Sequence, residues 1–131
     1  MQIPTAMGPY VAGTGTSPGG GSTWSGGPLG RMPDHPGFGG MQAPAQQWVL
    51  RTLGQFPGLR FSSGFRTPEQ NARVNGVPNS GHMRGWKADF SGSTKDMYAA
   101  AEWLKRFGAK TLLHDAGSGF HLDVSYEGLG L

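Results

Sequence analysis

The run Ser80-Gly81-His82-Met83-Arg84-Gly85-Trp86-Lys87-Ala88-Asp89 joins an imidazole to a carboxylate through a glycine-punctuated turn. Gly81 and Gly85 let the chain double back, because glycine carries no Cβ penalty in tight turns. Lys87-Ala88-Asp89-Phe90-Ser91 then alternates polar and apolar residues, the signature of a half-buried strand. Asp89, held on that strand, can face the same point as His82.

Downstream, Ser93-Thr94-Lys95-Asp96 reads as a capping box that opens a helix running to Phe107, with Met97, Ala100, Ala101, Leu104 and Phe107 on its buried face. Gly108 stops it. Thr111-Leu112-Leu113-His114 and Phe120-His121-Leu122-Asp123-Val124 are two further strands, joined as a hairpin through the turn Gly117-Ser118-Gly119. Upstream, Thr67-Pro68-Glu69-Gln70 carries N-cap, N1 proline and capping-box glutamine together, and predicts a short helix ending near Asn75-Gly76. Residues 75–81 are turn chemistry. Leu59–Ser63 alternates as a strand. Pro44 starts an earlier helix, with Pro44, Trp48, Thr52 and Phe56 on one stripe, and Gly54 and Pro57 end it. The order is helix, strand, short helix, strand, helix, hairpin. It predicts a small α+β domain in which helices cover one face of a mainly antiparallel sheet.

The chain has 131 residues, but 12 of its 24 glycines and six of its ten prolines fall within residues 1–40. That stretch has no sustained hydrophobic period and reads as an extended or disordered Gly/Pro-rich arm. Its Gly-Thr-Gly and Gly-Gly-Gly runs precede no convincing helix and read as linker rather than phosphate cradle. Tyr10, Trp24, Leu29, Met32 and Phe38 are its few candidate anchors. The folding unit is then 41–131, small enough that a stapling metal would help it. With no cysteines, disulfides and thiolate metal sites are excluded, so such a metal must use His, Asp or Glu. The net charge of +3 comes from scattered basic residues that form no nucleic-acid stripe. The N-terminus lacks a basic n-region followed by an apolar run, and no segment is long and apolar enough to insert into a membrane.

Three histidines, His82, His114 and His121, lie in or beside turns and strand ends, where functional groups collect. His82, Asp89 and His121 together would make a His₂Asp set. Three protein ligands with an open water position are the pattern of a catalytic zinc site. Spacing alone leaves the plainer alternative open, in which His82 is a loop residue and Asp89 a capped or salt-bridged strand residue.

Three segments carry a family resemblance. Ser63-Gly64-Phe65-Arg66-Thr67-Pro68-Glu69-Gln70-Asn71 resembles the Ser-Gly-Tyr/Phe-Arg-Ser/Thr-Pro-x-x-Asn motif of the M15 zinc DD-peptidases. Ser80-x-His82-x-x-Gly85-x-x-x-Asp89 resembles their Ser-x-His-x-x-Gly-x-Ala-x-Asp box. Phe120-His121-Leu122-Asp123-Val124 resembles their closing Phe/Val-His-x-Asp-Val strand. The motifs occur in the same order and span about residues 45–125. The resemblance implies the hedgehog/DD-peptidase fold, Zn²⁺ held by His82, Asp89 and His121, and hydrolysis of peptide bonds in peptidoglycan stem peptides. The group includes D-alanyl-D-alanine carboxypeptidases and phage L-alanyl-D-glutamate endolysins.

In such a site Arg66, which matches the family's arginine, would stabilise an oxyanion or hold a substrate carboxylate. Ser80 would bind substrate or orient its loop, and Asn71 would cap local backbone. Two positions depart from the family pattern. Lys87 stands where the box prefers a small residue. Ser118 stands three before the last histidine, where many members carry an acid. Asp115 is then the first candidate for general base, His114 the second and Asp123 the third, although Asp123 shares a strand face with His121 and more naturally orients that imidazole. Trp86 is a candidate for packing or for lining the cleft.

The expected function is a zinc metallopeptidase, either a lysis endolysin acting from the host cytoplasm or a wall hydrolase carried in a phage virion (tail or capsid), with residues 1–40 binding other virion proteins. The alternative is a non-catalytic zinc-containing structural or wall-binding module.

Overall fold

The computed structural model describes residues 28–74, 76, 80–116 and 119–129. The elements run α1 (Pro36–Gly39), α2 (Ala43–Gln55), β1 (Arg60–Ser63), α3 (Pro68–Arg73), β2 (Lys87–Ser91), α4 (Thr94–Lys105), β3 (Lys110–Ala116) and β4 (Gly119–Ser125). The four strands form one antiparallel sheet in the order β1-β2-β4-β3. This is the α+β architecture expected from the sequence.

The local signals that predict the helices act as expected. Thr67 accepts from the Gln70 backbone N–H, and the Gln70 side chain accepts from the Thr67 N–H, closing both halves of the capping box at α3. Ser93 accepts from the Asp96 N–H and starts α4. α4 ends at Lys105, two residues before Phe107, and Gly108 follows with φ of 98°.

Strand alternation sorts the sheet into two faces. Ala88 and Phe90 of β2 and Leu122 and Val124 of β4 are buried in one core with Trp48, Val49 and Leu50 of α2 and Met97, Ala100, Ala101 and Leu104 of α4. Aromatic edges lock the two helices together: Trp103 meets Trp48 at 6.4 Å and Phe56 at 5.7 Å between ring centroids. Tyr126, fully buried, bonds Thr52 of α2 through its hydroxyl at 2.9 Å. The opposite face carries Lys87, Asp89, His121 and Asp123, and this parity places the functional groups.

Residues 28–40 pack against the domain. The backbone N–H of Gly30 donates to the Leu50 carbonyl at 2.7 Å, α1 forms at 36–39, and Phe38 is buried. Glycine here serves close approach rather than flexibility. A Cβ on Gly40 would sit 2.6 Å from the Phe65 ring, and one on Gly30 would sit 2.5 Å from Leu53 Cβ. The packed chain therefore begins before residue 41. Of the anchors expected in the arm, Tyr10 and Trp24 lie outside the described residues, and so do Gly117 and Ser118 of the hairpin turn.

Candidate metal centre

The site is built where β1, the 81–85 turn and β4 meet β2. β1 pairs with β2 through a bulge between Phe61 and Ser63, which puts Ser63 opposite Asp89 and bends the strand. The residues beyond the bulge cross the site face. There the Gly64 carbonyl meets His82 Nδ1 at 2.8 Å, and the Arg66 N–H donates to the His82 carbonyl at 3.1 Å. The His82 loop is a chain of tight turns: Met83 N–H to Ser80 O, Arg84 N–H to Gly81 O, Gly85 N–H to His82 O, with Gly85 at φ 81°. The doubling-back expected of Gly81 and Gly85 is present.

With Nδ1 against a carbonyl, His82 carries a proton there and turns Nε2 towards the carboxylates. That nitrogen lies 3.5 Å from Asp89 Oδ2 and 3.8 Å from Asp123 Oδ2. His121 repeats the arrangement. Its Nδ1 sits 3.1 Å from the Gly119 carbonyl, and its Nε2 faces Asp89 Oδ1 at 4.0 Å. Two imidazoles, each fixed in one tautomer by a backbone carbonyl and aimed at the same carboxylate, have the orientation that metal-ligating histidines require.

Asp89 is 5% exposed. Its Oδ2 accepts from Arg66 at 3.3 Å, while its Oδ1 is buried and has no hydrogen-bond partner among the described residues. A buried carboxylate oxygen without a partner is costly, and a cation held between it and the imidazole nitrogens would satisfy it. Ligand atoms of His82, Asp89 and Asp123 also lie within 4.8 Å of one another. The donor set, nitrogen and carboxylate oxygen only, suits Zn²⁺.

The electrostatics agree. Burial by itself lowers the His82 pKa, but hydrogen bonds to Asp123 and Asp89 and the Asp89 charge overcome it and raise the imidazole to about 9. Burial tends to raise the Asp123 pKa, yet His82 and Lys87 hold it below its ordinary value. The pocket thus favours positive charge at the point where Nε2 of His82 faces the carboxylates.

Arg66 is committed inside the site. Its Nη2 reaches Asp89, and its Nη1 donates to Asn71 Oδ1 at 3.4 Å. It orients a candidate ligand and also lines the neighbouring cavity. Asn71, 4% exposed, helps to hold that guanidinium and does more than cap local backbone. Ser80 is buried, and its Oγ accepts from the His82 N–H at 3.1 Å, so it shapes the loop. Trp86 packs against the core.

β3 separates two of the base candidates. Register pairs His114 with His121 and Asp115 with Phe120. His114 is on the site face, its ring 4.3 Å from that of His121, and its Nε2 is buried with no partner among the described residues. Asp115 is exposed and points to the opposite face, so the sheet does not bring it to His82, Asp89 or His121. The expectation that it reaches across the hairpin fails on strand parity.

Beside Arg66 opens a cavity of about 380 Å³, flanked by His35, Pro36, Phe65, Gln70 and Val74. It borders the ligand carboxylate through that arginine and has the size of a small-ligand cleft.

The family model described as Peptidase M15 matches residues 41–123, which spans Arg66, His82, Asp89 and His121. The chain belongs to the peptidase M15 family. No curated protein and no solved structure matches it. As an M15 peptidase it is a hydrolase of the metallopeptidase class, and His82, Asp89 and Asp123 form a cluster that could hold a metal ion. No helix among the described residues of the M15 chain is long and apolar enough to cross a membrane.

Proposed function

We propose that this M15 chain is a zinc-dependent peptidase that hydrolyses peptide bonds in peptidoglycan stem peptides, with His82, Asp89 and His121 as the metal ligands. One observation carries the reading: two tautomer-fixed imidazoles present Nε2 to the two oxygens of a buried aspartate, one of which has no hydrogen-bond partner among the described residues.

When bound, zinc would polarise the scissile carbonyl and acidify a water. The chain's own groups do the rest. Gly64 and Gly119 carbonyls hold the imidazole protons on Nδ1. Arg66 fixes the Asp89 carboxylate. His114 and Asp123 are the base candidates on the site face, and His114 Nε2 is buried without a hydrogen-bond partner among the described residues. The cavity beside Arg66 is the place for a substrate residue. The stem-peptide substrate rests on the resemblance of the three motifs to wall-cutting members of the family.

We place the protein with a bacteriophage, in the virion or released at lysis. The Gly/Pro-rich composition of the N-terminal stretch, dotted with Tyr10 and Trp24, supports attachment to other virion proteins. Deleting residues 1–27 should abolish incorporation into particles while leaving the isolated domain folded. Unchanged incorporation would sink the virion assignment.

The second reading, a zinc-bearing wall-binding module without catalysis, draws on the position of Asp115, which leaves the site face without a carboxylate base at that position. Incubating the protein with purified sacculi separates the two. New amino and carboxyl ends that vanish with chelator support the peptidase, and binding without new ends supports the module.

A further inference from the structure

Lys87 enters the site face of β2 diagonally across from Asp123, since Lys87 pairs with Ser125 and Asp89 with Asp123. Its Nζ lies 3.1 Å from Asp123 Oδ1, with the lysine side chain 30% exposed and the aspartate 13%. The room for this reach comes from Gly81: a Cβ there would sit 2.5 Å from both Cγ and Cδ of Lys87. The aliphatic stem thus lies over a bare glycine, and the ammonium grips one oxygen of Asp123. The other oxygen is 3.8 Å from His82 Nε2, close enough that Asp123 itself qualifies as a metal ligand with His82 and Asp89.

A carboxylate in that place has two possible fates. If it enters the coordination shell, it fills the position a hydrolytic site keeps for water and converts the centre towards a closed, structural one. If it stays outside, it can accept a hydrogen bond from that water or from an imidazole. We propose that Lys87 is a positioning residue that anchors Asp123 outside the shell of a metal held by His82, Asp89 and His121, and so preserves the open coordination position. The proposal rests on the metal-site reading above and adds a specific job for a residue two positions before a ligand. The ammonium acts by geometry, through the pair to Oδ1, and by charge, since a fixed cation beside the site opposes excess carboxylate coordination.

The test uses the full chain with zinc and with cobalt, whose visible absorption reports ligand number and type. Lys87→Met should bind zinc about tenfold tighter, the scale on which outer partners tune metal sites, although hydrolysis slows. Its cobalt spectrum should shift as a carboxylate replaces water. Lys87→Arg should restore the wild-type spectrum. Gly81→Ala, which displaces the lysine stem, should move affinity and spectrum in the direction of Lys87→Met. In an Asp123→Asn background, Lys87→Met should lose most of its affinity gain and all of its spectral change. A merely structural role predicts the opposite sign, weaker zinc binding in Lys87→Met. Unchanged or weaker affinity, an unchanged cobalt spectrum, or a full gain in the Asp123→Asn background overturns the proposal. A wild-type chain that takes up neither metal overturns the metal-site reading and this one together, and is distinguished by that result.

Discussion

Asp89 Oδ1 is buried, accepts no hydrogen bond from the described residues, and lies 4.0 Å from His121 Nε2. Its partner oxygen is held by Arg66 and faces His82. The carboxylate is therefore split between a satisfied side and an open side, and the open side is turned towards the second imidazole.

This division assigns unequal weight to the two candidates on β4. His121→Ala removes the nitrogen facing the open oxygen and should lower zinc affinity at least about 100-fold, whereas Asp123→Ala, which removes an outer partner, should change it by no more than about tenfold. Competition with a chromophoric chelator measures both. Equal losses would show that Asp123 is itself a ligand.

Arg66→Lys keeps the charge but cannot bridge Asn71 and Asp89, which lie at 3.4 and 3.3 Å from two different nitrogens of the fork. Peptidase activity should fall by about 10–100-fold with the protein still folded and near its normal melting temperature. Activity and a thermal scan on the same sample decide it.

Strand parity separates two neighbours. Asp115→Ala should leave hydrolysis within about twofold of wild type, because surface changes away from the site act weakly. His114→Ala should reduce it by about 100-fold or more, the usual contribution of a positioned acid or base. A reversed ranking would mean that the hairpin register differs from His114 opposite His121.

Tyr126 gives the stability of the fold an alkaline limb. Burial, opposed only by the Thr52 hydrogen bond, raises its pKa above the ordinary value of about 10. A phenol whose folded pKa is raised contributes stability that is complete below the unfolded value and is lost as pH rises through the folded one. Unfolding followed by circular dichroism should therefore show stability falling above about pH 10. Tyr126→Phe should flatten that alkaline limb and cost about 1 kcal/mol at neutral pH through the lost hydroxyl contact.

Much of this was legible in the sequence, for identifiable reasons. The Thr67 and Ser93 caps depend on residues three apart, and alternation along Ala88-Asp89-Phe90 and Leu122-Asp123-Val124 depends on the next residue but one, so local chemistry suffices. Distance along the chain does not place Asp115, because the hairpin register decides its face: once Ala116 pairs with Gly119, residue 114 must oppose 121 and residue 115 must face away. Residues 28–40 read as a flexible arm because glycine has two uses, and only the neighbours, Phe65 for Gly40 and Leu53 for Gly30, reveal which applies. The ties of Arg66 to Asn71 and Asp89, and of Lys87 to Asp123, join different elements of the chain, and no local period encodes them.

The central proposal is that a metal held by this cluster lets the chain cut the wall. Purified peptidoglycan digested with the zinc-loaded full chain, then with the same protein after chelation, and examined by mass spectrometry tests it directly. The account predicts new stem-peptide fragments, from one kind of bond, that appear with zinc and disappear with chelator. Zinc-loaded protein that binds the wall and releases no fragment, or fragments that persist after chelation, would contradict it.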